Sequence, residues 1–112
     1  MKKGNTNAEK RVPYLSLEEG QSLVRLARHA ITAHLANKPL EAHPTTQRLE
    51  EKSGVFVTLN KAHPRELRGC IGFPYPELPL RDATMRAAIY AATEDPRFEP
   101  VSLEELQKSI VL

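Results

Sequence analysis

The sequence predicts an α+β domain, an antiparallel sheet flanked by helices, and three observations carry that expectation. Two long segments repeat apolar residues at spacings of three and four, as a helix with one buried face requires. Two short segments rich in β-branched and aromatic residues stand on either side of a brief polar break, as the arms of a hairpin do. At 112 residues there is room for one hydrophobic core and not for two.

Residues 1–13 are polar and charged with little to bury, so a mobile arm is expected there and a folded domain over 14–112. Ser16-Leu17-Glu18-Glu19 reads as a capping box: the serine hydroxyl accepts from the backbone three residues on, and Glu19 reaches back to the serine N–H. Val24, Ala27, Ile31 and Leu35, with Leu23 and Ala30 beside them, then draw one apolar stripe, and Asn37-Lys38-Pro39 ends the helix because the residue before a proline is pushed out of the helical region. From Pro39 to Gly54 the chain is polar and without period, a loop with room for one helical turn over 46–52. Gly54 to Asn60 and Glu66 to Phe73 read as the two strands, joined through Lys61-Ala62-His63-Pro64 and stopped by Pro74-Tyr75-Pro76. Leu80 to Thr93 reads as the second long helix, whose Ala83, Ala87, Ala88, Ala91 and Ala92 favour the helical backbone and let it lie close to a sheet. Asp95-Pro96 closes it, Val101 to Glu105 repeats the capping pattern, and Ile110-Val111-Leu112 has the character of an opening strand with an exposed edge.

The composition excludes several classes of protein. A net charge of +2 makes no electrostatic case for a nucleic-acid partner, and no apolar run reaches the roughly 18 residues that cross a bilayer. The few, scattered aromatics form no base-stacking platform. With a single cysteine the fold does not lean on an oxidising compartment, and a soluble, cytoplasmic protein is expected. No phosphate loop, nucleophile elbow or zinc spacing is present, and the cofactor is left open.

The stretch Glu66-Leu67-Arg68-Gly69-Cys70-Ile71-Gly72-Phe73 holds that cysteine. Strict alternation along a strand would send Leu67 and Ile71 into the core and leave Arg68, Cys70 and Gly72 together on the second face. A guanidinium beside a thiol favours the thiolate, the nucleophilic form, and flanking glycines let a ligand or another backbone approach. A second reading stands beside it: free cysteine is a common buried filler, and glycines in a strand also mark bulges and tight crossings. The four histidines are scattered, with His29 and His34 poorly spaced for one helix face and His43-Pro44 and His63-Pro64 suited to turns. Glu94-Asp95-Pro96-Arg97-Phe98 is the other notable run: Arg97 is expected to pair Asp95 at a rigid helix exit with the Phe98 ring entering the core. In a functional reading, Asp95 and Arg97 line one pocket with Arg68 and Cys70.

Leu67-Arg68-Gly69-Cys70-Ile71-Gly72, an alanine-rich helix and Asp95-Pro96-Arg97-Phe98, in that order, resemble the AMMECR family, whose microbial members include the AmmeMemoRadiSam system protein A type. The resemblance runs from about Leu15 to the end. It implies an α+β fold with the cysteine motif as a functional surface. The pairing of Arg68 with Cys70 itself points to an enzyme or small-molecule binder, with Cys70 as nucleophile or ligand contact and Arg68, Gly69, Gly72, Asp95 and Arg97 as substrate-binding residues. The resemblance also implies Memo-type and radical S-adenosylmethionine proteins as partners. The alternative role is a non-catalytic module docking a protein on the same strand, or pairing with a second copy through an exposed strand edge. Phe73-Pro74 departs from the small polar residue usual after the second glycine, and the chain is expected to be the N-terminal portion of the family domain.

Overall fold

The structure, a computed structural model, describes residues 15–112. The arm expected over residues 1–13 lies outside them. Helix α1 (Leu17–Leu35) starts on the capping box the sequence predicts: the Glu19 N–H donates to Ser16 Oγ and the Ser16 N–H to Glu19 Oε1, both at 3.0 Å. The other Glu19 oxygen accepts from the Thr46 hydroxyl at 2.6 Å, and Thr46 is itself the cap of the short helix α2 (Gln47–Glu50). One carboxylate thus ties two helix starts together, and the Thr46 and Ser16 hydrogen bonds hold it below the ordinary glutamate range.

The end of α1 is set by Asn37, whose φ of 56° lies in the left-handed region that asparagine tolerates. The Lys38 N–H then returns to the Ala33 carbonyl and the Asn37 N–H to that of His34, a Schellman closure. Pro39 follows the stop rather than causing it.

Strands β1 (Val55–Lys61) and β2 (Glu66–Phe73) form the expected antiparallel hairpin, and the short β3 (Ile110–Val111) joins the other side of β1, giving the order β2-β1-β3. Helix α3 (Leu80–Thr93) covers one face of the sheet and α1 packs on α3. The core lies between these layers: Ala27 and Ile31 from α1, Val57 and Leu59 from β1, and Ala87, Ala88, Ala91 and Ala92 from α3. The four alanines are each no more than 2% exposed. Their short side chains bring the α3 backbone so close to β2 that a Cβ on Gly69 would overlap the Ala91 carbonyl oxygen.

Helix α4 (Leu103–Ser109), capped by Ser102 Oγ, adds Leu106 to the core and runs into β3. Its final carbonyls are not left bare. Arg28 of α1 donates to the Leu106 and Ile110 carbonyls, which anchors the turn into β3 from across the core.

Two sequence expectations fail at one point in β2. Leu59 pairs with Gly69 but Asn60 pairs with Leu67, so Arg68 is the extra residue of a β-bulge. The alternation breaks there. Leu67 turns outward to 38% exposure instead of entering the core, while Arg68 is drawn in to 9%.

Candidate functional site

The sheet face turned away from α3 carries Phe56, Thr58, Cys70 and Gly72. Phe56 and Thr58 are exposed while the alternating Val57 and Leu59 are buried, which fixes which side of β1 faces outward. Thr58 stands directly opposite Cys70, with its hydroxyl 3.4 Å from the sulfur, and the thiol is half-buried. A Cβ on Gly72 would overlap the Phe56 ring, so that ring lies across the strand beside Cys70.

The backbone of Cys70 explains the closeness of that pair. Its N–H points away from β1, off the free edge of β2, and donates to Asp95 Oδ2 at 3.0 Å. Thr58 and Cys70 are therefore a non-hydrogen-bonded pair, the kind whose side chains stand closest. Asp95, 5% exposed, also accepts from the Arg97 N–H and Nε at its Oδ1, each at 3.0 Å, and from Arg97 Nη2 at its Oδ2, 2.8 Å away. A carboxylate leaving helix α3 thus covers the strand edge and grips the arginine two residues later, an Asx-type turn sharpened by a bidentate ion pair.

Electrostatics follow from that geometry. The Arg97 hydrogen bonds, then the Cys70 N–H, hold the Asp95 carboxyl far below the usual carboxylate range. Arg97 is raised in turn by its hydrogen bonds to Asp95, then by the Asp95 charge. A carboxyl depressed on folding lends stability above its unfolded value near 3.9, and that stability is lost as the pH falls toward the folded value. Asp95→Asn is therefore expected to lower the urea midpoint at pH 7, with the gap to wild type shrinking between about pH 5 and pH 2. A gap that stays constant across that range would show that the charge of Asp95 contributes nothing.

Of the residues singled out by sequence, Cys70, Gly72, Asp95 and Arg97 come together, and Gly69 serves as the contact with α3. Arg68 goes elsewhere. Its Nε and Nη2 bind the two Glu105 oxygens at 2.7 and 3.0 Å, across to α4, with the pair largely out of solvent. Phe98 is not in the core; its ring centroid lies 5.4 Å from the Arg97 guanidinium carbon and 6.0 Å from that of Arg68, a cation–π stack between two arginines. The arginine tied to the Cys70 backbone, through Asp95, is Arg97. Thr58 was missed, although its place opposite Cys70 follows from hairpin register once the bulge is known. Among the described residues no three histidine, cysteine or carboxylate side chains gather to hold a metal ion, and no helix is long and apolar enough to cross a membrane.

Comparisons with known proteins agree with this arrangement of elements. The family model described as AMMECR1 matches residues 24–111. A protein of Methanopyrus kandleri is 62% identical over 88 residues, covering 78% of this chain and 42% of that protein. One of Thermofilum pendens is 55% identical over 102 residues, covering 82% and 48%. The crystal structure of an uncharacterized protein from Pyrococcus horikoshii superposes with a TM-score of 0.74 at 48% identity, covering 86% of this chain and 49% of that one. The chain spans about half the length of the relatives it matches.

Proposed function

The chain belongs to the AMMECR1 family, and on that footing we propose that the outward sheet face at Cys70 binds a small anionic or electrophilic molecule, with Cys70 as thiol contact or nucleophile. The observation that carries this reading is the single carboxylate, Asp95, gripping both the Cys70 backbone and Arg97. Arg97 is thereby fixed beside the Cys70 strand edge, its guanidinium still 57% exposed and able to meet an anion. Gly72 lets the Phe56 ring lie flat beside the sulfur as one wall of the site, and Gly69 and Arg68 support the strand from behind. The Thr58 hydroxyl orients the sulfur but does not take up a proton near neutral pH, so any chemistry would begin from a thiolate formed in exchange with solvent.

Alkylation tests it. With iodoacetate and iodoacetamide, the Cys70 thiolate displaces iodide in both cases, and only the first reagent is an anion. The wild type is expected to favour iodoacetate relative to a free thiol, and Arg97→Ala to lose a few-fold of that preference, the ~1 kcal/mol scale of a half-exposed charge. Equal reagent ratios in the two proteins would remove Arg97 from the site. A thiol inert to both reagents at every native pH would remove the nucleophile.

One observation favours a second reading, a docking surface on the same strand. Phe56 is 67% exposed and lies next to Cys70, an unusual cost for a strand residue unless something covers it. In that reading the partner is a protein, of the Memo or radical S-adenosylmethionine type by family resemblance, or a second copy pairing along a strand edge. Phe56→Ser would then abolish capture of the partner, or concentration-dependent sedimentation of the chain, while leaving the alkylation rate unchanged.

A further inference from the structure

A second concave site lies where none of the Cys70 residues reach. Helix α1, the loop after it and helix α4 enclose a groove of about 650 Å³, within the range of small-molecule sites. Arg25 and His29 come from α1, Lys38, Glu41 and His43 from the loop, and Leu103 and Gln107 from α4. No residue of β1 or β2 lines it.

Its lining holds two fixed cations, Arg25 and Lys38, against one acid. The Arg25 and Lys38 side chains make no ion pair or hydrogen bond among the described residues, although each lines the same groove. His29 Nδ1 and His43 Nε2 are 3.1 Å apart, with ring centroids at 4.9 Å and planes tilted by 48°. Only one of those two nitrogens carries the proton of that bond, so each ring keeps its other nitrogen for a ligand or for solvent. Glu41 is the one acid in the lining.

Two ligand classes suit paired imidazoles, a transition metal and an anion, and the surroundings separate them. A metal would want a third protein ligand, and the described residues gather none. It would also have to sit in the field of uncompensated cations. That field is felt by His43 itself: burial, then the neighbouring His29, then Arg81 on α3 and Arg25 on α1, push its proton affinity below the ordinary histidine range, and Glu41 opposes them weakly. The α4 wall adds no charge, since Leu103 and Gln107 are neutral. Such a site is short of negative charge, and an arriving anion would supply it.

We propose that this groove binds a small phosphate-bearing molecule, its phosphoryl oxygens held by Arg25 and accepting N–H bonds from the His29–His43 pair, with Lys38 at the far end of the groove. Binding is then coupled to proton uptake, because a dianion beside the imidazoles favours their charged form against burial and the neighbouring cations. The site owes nothing to the reading of Cys70, and the two stand or fall apart.

Inorganic phosphate is the probe, and the imidazole resonances of the 112-residue chain are the readout. Saturable shifts of His29 and His43 are expected at millimolar phosphate, with His34 and His63 unmoved, and His43 should take its proton at a higher pH when phosphate is present. Arg25→Ala removes one exposed charge beside the imidazoles and is expected to weaken binding by roughly tenfold, and Lys38→Ala by less. Non-saturating shifts, shifts reproduced by sodium chloride at equal ionic strength, or undiminished binding in Arg25→Ala would overturn the proposal. So would tighter binding of zinc than of phosphate at the same two histidines, which would make the pair a metal site.

Discussion

Gly69→Ala is expected to destabilise the domain by about 3 kcal/mol or more, whereas Gly72→Ala, three residues along the same strand, is expected to change stability by less than about 1 kcal/mol. Both glycines would place a new Cβ inside an existing atom. What differs is the neighbour. At Gly69 it is the carbonyl oxygen of Ala91, part of a helix backbone pressed against the sheet by a row of alanines that leave no slack. The helix would have to lift off β2 and expose the Ala87-to-Ala92 contact, and interiors packed to crystal density do not absorb that shift cheaply. At Gly72 the neighbour is the Phe56 ring, largely in solvent and free to rotate away. Urea unfolding of the two variants side by side gives the comparison. Similar midpoints for both would mean that α3 is not seated on β2 as described.

Arg68→Ala carries the next largest effect, an expected loss of about 2–3 kcal/mol, with Cys70 alkylation changed less than about twofold. The bulge turns this arginine off the outward face and into a two-point ion pair with Glu105, 37 positions away in the chain. Removing the guanidinium leaves the Glu105 carboxylate, only 27% exposed, without its partner and unpins α4 from β2. The estimate sits below the figure for a fully buried pair because water still reaches one side. Glu105→Gln should lose part of the same stability, and the double variant should lose less than the sum, since the two act as one unit. If Arg68→Ala instead slowed alkylation strongly and spared stability, Arg68 would be the cation of the Cys70 site after all. That is what strict alternation along β2 implies.

The regular elements were legible because their signals are local. A serine three residues before a glutamate caps a helix whatever the rest of the chain does, and Ser16 and Ser102 both do so. The alanine run of α3 and the limits of β2 follow from propensity and from the prolines beyond them, and they match the structure residue for residue. The pairing of Asp95 with Arg97 was readable for the same reason, being two residues apart.

What misled was also local. Period-two alternation assigns faces along a strand only while the ladder is regular, and one bulged residue exchanges the roles of Arg68 and Leu67. No pattern in the strand announces the bulge, and the group that receives the bulged Arg68 is Glu105 on another element. The same holds for the partners of Cys70. The sequence by itself determined which segments are helix and strand, that the strands pair antiparallel, and which family the motifs resemble. How the layers pack settled that Arg68 leaves the Cys70 face for Glu105, that Asp95 seals the edge of β2, and that His29 meets His43 in a groove lined by Arg25 and Lys38. Those are contacts between residues distant in the chain, set by how layers pack, and packing energy has no signature in the spacing of residues along one segment.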